Sequence, residues 1–425
     1  MPVVLGAASL GPALVVTPTL GLAEELGRRL GAGGVPVAVV PREWALAAAG
    51  VPVVLGARGA AWAPCPGLAS VVVLDGHDES LQQEQAPTWN GWVVAAERAQ
   101  RARVPCVVVS ACPTVELLAW PGAQVLTPSR EQERRGWAAL EVVDRGRDDQ
   151  AGLYSPRLVG LLRGGGRVVC VLNRKGRIRL SSCASCGELV RCERCGATVA
   201  RADEHLSCAR CQTVRPAVCL ACGSTRLRAL RVGVSRAREE LEHLAGQAVG
   251  EVTSETDVIP DCPVVVGTDA ALRRLDQVDA VAFLDFDQEL LAPRYRAGEE
   301  ALSLLALASR LVGGRARSGR VMIQTRVPQH DVVVSALTAD PRRLAISEAA
   351  LRQALALPPA TAVALVSGAG AEEFVATLRS VDVLGPDRGR WLVKASDHRR
   401  LCDALGAAGR PPGQRLRVEV DPLRL

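Results

Sequence analysis

Lysine is almost missing from this chain. Of its 51 basic residues only Lys175 and Lys394 are lysine. Arginine, alanine, glycine, valine and proline dominate instead, as GC-rich coding produces, so no single arginine carries much meaning alone. Aromatic residues make up 3%, too few for the broad base-stacking surfaces of single-strand binders. Long apolar runs are also absent. Residues 1–23 carry no charged side chain, but they lack a basic start and are broken by Gly6, Gly11, Pro12, Pro18 and Gly21, which excludes a signal or membrane segment. They read as the strand, turn and helix start of a cytoplasmic α/β domain. The phosphate-loop pattern GxxxxGK[ST] occurs nowhere. There is no internal repeat and no low-complexity tract.

What is present suits a packed, multi-domain protein. The chain has 425 residues, 48% of them hydrophobic and 23% charged, enough for about two to four domains. A net charge of +6 permits a polyanionic partner without requiring one.

The 14 cysteines divide sharply. Cys65, Cys106, Cys112, Cys170, Cys262 and Cys402 are scattered, several in apolar strand-like runs, and read as small buried hydrophobes. The other eight form CxxC pairs: Cys183/Cys186, Cys192/Cys195, Cys208/Cys211 and Cys219/Cys222. Each pair aims two sulfurs at one point, and a tetrahedral Zn²⁺ needs two pairs. Gly187, Gly196 and Gly223 follow three of the pairs directly, as a zinc knuckle favours. Two structural Zn²⁺ ions are therefore expected, with all-thiolate ligands that leave no open position for substrate. Spacing alone permits three groupings of the pairs. Between Arg174 and Glu240 there are 14 basic and 6 acidic residues. This local excess is the footprint of phosphate-backbone binding, although a solvated basic face would read the same way.

Val-rich runs alternate with helical patterns through residues 1–125, as in ALVVTP, VPVVLG, SVVVLD and VPCVVVSA. Uninterrupted runs of this kind fit a parallel sheet buried on both faces, and its strand ends carry polar groups where such sheets bind ligands. Residues 126–165 read as a charged linker ending in a glycine turn. A second α/β domain follows in 166–182 and 223–330, interrupted by the cysteine segment 183–222. Residues 331–425 read as a small α+β domain.

This order resembles the PriA family, the primosomal replication-restart helicases also called primosomal protein N′. LNRKG at Leu172–Gly176 is similar to the family's segment before its cysteine ribbon, and the four CxxC pairs follow in the family's order. GVSRAREEL from Gly233, LDFDQEL…RAGEE, VMIQT, Leu357–Pro359, VLGP at Val383–Pro386 and VDP at Val420–Pro422 continue the likeness. Upstream, LVVTP, VVLGARGAAWAP, HDES and SACP fall in sequence. The resemblance implies an α/β fold of two RecA-like helicase lobes with parallel sheets, a two-zinc all-cysteine ribbon inserted in the second lobe, and a small C-terminal α+β domain. The first lobe would be truncated at its N-terminus, without the family's N-terminal DNA-binding region. The resemblance groups Cys183, Cys186, Cys219 and Cys222 on one zinc, and Cys192, Cys195, Cys208 and Cys211 on the other. It places an aromatic-rich DNA-responsive loop at Gln82–Val94, where Trp89 and Trp92 stand.

The resemblance also implies an ATP-dependent 3′–5′ DNA helicase, and here the residues depart from it. Phosphoryl transfer needs a phosphate cradle with a lysine, a carboxylate for Mg²⁺, a water-positioning glutamate and charge-stabilising arginines. The family's Asp-Glu-x-His box falls on Leu74, Asp75, Gly76 and His77. A one-residue shift would keep Asp75 as metal ligand but leave Gly76 at the glutamate. Ser110, Ala111, Cys112 and Pro113 stand for Ser-Ala-Thr-Pro. Gly267 and Thr268 remain in the second lobe, but DAALRR replaces the stretch after them. The two finger-arginine positions fall on Leu311 and Gly314, with Arg310, Arg315 and Arg317 nearby.

Asp75, His77, Gly267 and Thr268 thus mark a degenerate nucleotide site. No catalytic residue is assigned, and ATP with Mg²⁺ is not an expected cofactor. The favoured reading is a protein of replication restart that binds forked or branched DNA, including single-strand/double-strand junctions, and recruits primosome proteins without unwinding and without a membrane. Arg174, Lys175, Arg177, Arg179, Arg191, Arg194, Arg210 and Arg215 would contact phosphates, and Trp89 would contact DNA. The alternatives are an active helicase and a zinc-stapled scaffold that binds proteins only.

Overall fold

The computed structural model describes residues 1–146, 153–173, 181–202, 204–229 and 234–425. They form two compact units, Met1–Ala123 with Arg352–Leu425, and Gln124–Leu351.

In the first unit the Val-rich runs become short parallel strands. Their spatial order is Val37–Val40, Val53–Gly56, Ala13–Val16, Ser70–Val73 and Cys106–Val108. The central strands are buried on both faces, which is why they lack polar alternation. Thr19 caps the helix Leu20–Ala32 by accepting a hydrogen bond from the Leu22 N–H at 3.2 Å. That helix buries Ala23, Leu26, Gly27 and Leu30, each leucine contributing about 1.5–3 kcal/mol. A Cβ at Gly27 would meet Val39 Cγ2 at 2.9 Å, so glycine sets the helix–sheet distance.

Residues 362–420 of the same unit form an antiparallel sheet in the order Asp382–Asp387, Arg390–Ala395, Ala362–Ser367 and Arg417–Val420. Helices Ala371–Thr377 and His398–Ala407 supply Phe374, Val375 and Leu401 to its core.

The second unit holds a six-stranded parallel sheet. Its order is Val249–Val252, Val264–Gly267, Val168–Val171, Ala280–Phe283, Arg320–Thr325 and Ala139–Asp144. Two sequence-based boundaries need correction. The stretch 126–165, read as linker, supplies helix Arg130–Gly136, strand Ala139–Asp144 and helix Pro156–Arg163. The strand pairs with Arg320–Thr325 along its whole length. It sits at the sheet's edge and is only partly buried, so its sequence ALEVVD keeps charges that mask the strand signal. The second correction concerns residue 331. Helix Asp331–Leu337 and most of helix Pro341–Ala354 belong to the second unit, and the boundary falls at Arg352.

Between the Val168–Val171 and Val249–Val252 strands the chain leaves the sheet and builds a ribbon. Ser181–Cys183 pairs antiparallel with Leu227–Ala229, and Ala200–Ala202, His205–Ser207 and Val214–Pro216 form a three-stranded sheet. Among the described residues, the ribbon's buried apolar cluster besides cysteines holds Val190, Ala197, Val199, Leu206 and Ala217. No helix among the described residues is long and apolar enough to cross a membrane.

Candidate metal centres and nucleic-acid interface

The four CxxC turns share one backbone pattern. In each, the N–H of the first cysteine donates to the carbonyl five residues on: Cys183 to Glu188, Cys192 to Ala197, Cys208 to Thr213 and Cys219 to Ser224, at 2.8–2.9 Å. The N–H of the residue four positions on donates back: Gly187 to Cys183, Gly196 to Cys192, Gln212 to Cys208 and Gly223 to Cys219, at 2.9–3.0 Å. That residue must take a left-handed conformation, with φ of 77°, 71°, 62° and 72°. Glycine provides this freely in three turns. Gln212 adopts it in the fourth, so the absent glycine does not mark a different structure.

The turns converge in two groups, Cys183, Cys186, Cys219 and Cys222, and Cys192, Cys195, Cys208 and Cys211, with the sulfurs of each group within 4.8 Å of one another. The grouping is the nested one of the three that spacing permits. The Sγ separations are 3.5 Å for Cys183–Cys222, 3.7 Å for Cys186–Cys219, 3.4 Å for Cys192–Cys211 and 3.5 Å for Cys195–Cys208. All eight are free thiols. A tetrahedron of sulfurs about 2.3 Å from a zinc has edges of about 3.8 Å, so the residues present fit such an ion.

Their acid–base balance points the same way. N–H groups of Cys186 and Ser185 lower Cys183 to about 6. The Cys195 thiol, helped by N–H groups of Cys211 and Arg210, lowers Cys208 to about 5. Their neighbours move up. The Ser224 N–H favours the Cys222 thiolate, but Cys186 and Cys183 outweigh it and push the group up to about 12. Cys195 is pushed up chiefly by its hydrogen bond to Cys208. Within a group, one thiolate opposes the next. A shared cation is what lets all four ionise.

The arginines around the sulfurs separate into two kinds. Arg194, inside the second knuckle, is exposed, as are Arg201, Arg226 and Arg228, which the sequence reading did not single out. Arg191 is partly exposed and 3.5 Å from Glu188. Arg210 and Arg215 require correction as phosphate contacts. The Arg210 side chain is 7% exposed and pairs at 3.4 Å with the equally buried Glu348. The Arg215 side chain is 9% exposed. It lies 3.0 Å from Glu193 and donates to the Val218 carbonyl at 2.7 Å and to Arg191's at 3.2 Å. Arg215 is tied within the ribbon and Arg210 is tied to Glu348 and the Tyr295 carbonyl outside it, and charge counting cannot tell such arginines from exposed ones. Arg174, Lys175, Arg177 and Arg179 lie outside the described residues.

The remaining site positions fall at the carboxyl ends of strands. In the first unit, Leu74 and Asp75 follow Ser70–Val73. Leu74 packs against the layer of helices Pro2–Ala8 and Leu20–Ala32, so the position the resemblance gives to a Mg²⁺ carboxylate offers no oxygen. Asp75 has φ 49°, and His77 Nδ1 lies 2.9 Å from Ser110 Oγ. In the second unit, a Cβ at Gly267 would stand 1.9 Å from the Val252 carbonyl, so strand packing alone demands this glycine. The Thr268 hydroxyl accepts from the Ala270 N–H at 3.3 Å and caps helix Asp269–Arg274. The structure gives both residues a local role that needs no nucleotide. Arg317 donates to Gln277 Oε1 at 2.8 Å.

Trp89 and Trp92 part company. Trp92 is buried, 5.2 Å from Trp120. Trp89 is half-buried in a hairpin of Gln82–Gln83 with Trp89–Asn90, its ring 5.7 Å from Trp62.

No protein-family model matches the chain. Among curated proteins it is 27% identical over 348 residues to the replication restart protein PriA of Bacillus subtilis, covering 75% of this chain and 43% of that protein. It is 27% identical over 428 residues to PriA of Thermotoga maritima, covering 89% and 58%. It is 30% identical over 402 residues to the probable PriA of Mycobacterium tuberculosis, covering 88% and 59%. The chain thus spans about half the length of the curated relatives it matches. Similar solved structures include S. cerevisiae Dbp5 bound to RNA and ADP BeF3, at 12% identity and TM-score 0.41, covering 83% of this chain and 84% of that one. RecG bound to a three-way DNA junction shares 11% identity at TM-score 0.39, covering 80% and 40%. Over most of its length, the chain is PriA-like.

Proposed function

We propose that this chain is a DNA-binding protein of replication restart that holds forked or branched DNA and recruits replication proteins without ATP-driven unwinding. The observation that carries the reading is the pair of four-sulfur groups on a ribbon whose exposed side chains include Arg194, Arg201, Arg226 and Arg228. Cys183, Cys186, Cys219 and Cys222 would hold one Zn²⁺, and Cys192, Cys195, Cys208 and Cys211 the other. Each ion would supply charge neutralisation and a cross-link, fixing a segment whose own apolar core is small. The exposed arginines would then neutralise phosphates on a rigid support. The PriA likeness supports DNA as the polyanion.

The absence of unwinding rests on Leu74 at the Mg²⁺ position and on Leu311 and Gly314 at the finger-arginine positions. Each electrostatic group removed from a phosphoryl-transfer site costs about 3–4 kcal/mol of barrier, and several are replaced together. The test combines fluorescence anisotropy on forked DNA across a salt series with an ATPase assay on the same sample. The expected result is salt-dependent binding, weakened by Arg194→Glu and Arg226→Glu, with no DNA-stimulated hydrolysis. Vigorous turnover would select the helicase instead. Intact partner complexes without DNA binding would select the protein scaffold.

A further inference from the structure

Among the described residues the chain leaves two of its few aromatic side chains exposed, Trp44 at 44% and Trp62 more fully. Trp62 is 59% exposed. It ends the 3₁₀ turn Arg58–Trp62, which follows the carboxyl end of strand Val53–Gly56, the end of a parallel sheet where ligands bind. His77 and Ser110 follow strands Ser70–Val73 and Cys106–Val108 of the same sheet, at that same end but separated from Val53–Gly56 by Ala13–Val16.

The turn is held rigidly. Arg98 Nη1 donates to the carbonyls on both sides of the tryptophan, Ala61 at 3.1 Å and Ala63 at 2.6 Å. Arg58 ties the turn to the neighbouring hairpin, donating to Gln83 Oε1 at 3.0 Å and to the Ser80 carbonyl at 3.1 Å. Gly91 lets the hairpin sit this close, since a Cβ there would meet Arg58 Cβ at 3.2 Å. The hairpin carries Trp89, whose ring is inclined 78° to Trp62, edge to face. Thr88, next to it, exchanges two 2.9 Å hydrogen bonds with the backbone of Val420.

We infer that Trp62 is a stacking face for an unpaired nucleobase, with Trp89 as its buttress. The surroundings favour a flat ligand over a protein patch. Within residues 57–91, which run from the turn through the hairpin, no other large apolar side chain among the described residues is exposed. A protein hot spot needs a surrounding contact ring that excludes water, whereas a base needs one immobile π face. The neighbouring guanidinium groups of Arg58 and Arg98 are engaged with backbone and Gln83, so the contact here is by stacking rather than by charge. This moves the aromatic contact from Trp89 to a residue on a different loop.

The inference rests on the proposed DNA binding, and salt separates the two. The experiment titrates the full chain and its variants with fluorescein-labelled oligo-thymidylate over a salt series. Trp62→Ala should weaken binding about 5- to 150-fold at every salt concentration, the range for loss of one stacked base, and leave the salt slope unchanged. Trp62→Phe should restore most of the affinity. Arg194→Glu should flatten the slope. Wild-type binding that Trp62→Ala leaves intact would overturn this assignment alone. A Trp62→Ala loss that Trp62→Phe shares in full would overturn it too, since stacking needs only an aromatic face. A wild-type chain that binds neither this oligonucleotide nor forked DNA would overturn both proposals.

Discussion

Replacing Arg210 by alanine separates two roles that the sequence alone leaves merged. In the structure the guanidinium is 3.4 Å from Glu348 Oε2 and 3.5 Å from the Tyr295 carbonyl, and both charged side chains are 7% exposed. At an effective dielectric of about 20, opposite charges at that separation attract by about 5 kcal/mol. Much of this is offset by the cost of drying the two ions. Removing one partner, however, leaves Glu348 buried without its guanidinium, at a cost of about 3–5 kcal/mol. The pair joins the ribbon to helix Pro341–Ala354, so the loss should be local. Hydrogen exchange of ribbon amides should accelerate on Arg210→Ala, while the strands of the first unit keep their protection. Arg210→Met with Glu348→Leu should recover most of the loss, and the double-mutant cycle isolates the coupling. A phosphate contact would behave differently: Arg210→Ala would then reduce the DNA salt slope by about one. A cost below about 1 kcal/mol, or a reduced slope with unchanged exchange, would refute the buried-pair account.

Metal analysis of the purified chain should return two zinc ions per molecule, and Cys208→Ser should reduce that number while exposing the ribbon to protease. Burial lowers the pKa of His330 to about 4, with Arg210 and Arg191 adding to the effect against Asp331. The unfolded imidazole takes up its proton near pH 6.5 and the folded one near 4, so His330 lowers stability progressively as pH falls through that window. His330→Asn should make the urea midpoint less sensitive to pH there. Trp92→Ala should cost about 3–5 kcal/mol by emptying a core site against Trp120. Trp62→Ala should stay within about 0.5 kcal/mol, a contrast that thermal melts would read directly.

The parts of the fold written in local pattern were legible. The Val runs at 13–16, 53–56 and 264–267 declare buried parallel strands, because both faces are apolar. The CxxC turns declare themselves because each closes within six residues. What depends on distant neighbours was not legible. ALEVVD is a strand only because Arg320–Thr325 pairs with it. Arg210 and Arg194 sit in similar knuckles, yet Glu348, far along the chain, buries one of them. Gln212 occupies a left-handed position that composition assigns to glycine. Trp62 falls in an unremarkable Ala-rich stretch, and only the folded turn, whose backbone Arg98 holds on both sides of it, shows that it is exposed.

The nesting of the sulfur groups sets an order of assembly. The inner cysteines are 13 and 19 positions apart where they meet, the outer ones 33 and 39. Closing the shorter loop first costs less chain entropy, and once it is shut only short arms separate the outer turns. A ribbon emerging from synthesis can therefore tie its middle before its ends, so early loss of the inner knot should delay the whole module, whereas loss of the outer one should leave a half-built but compact centre.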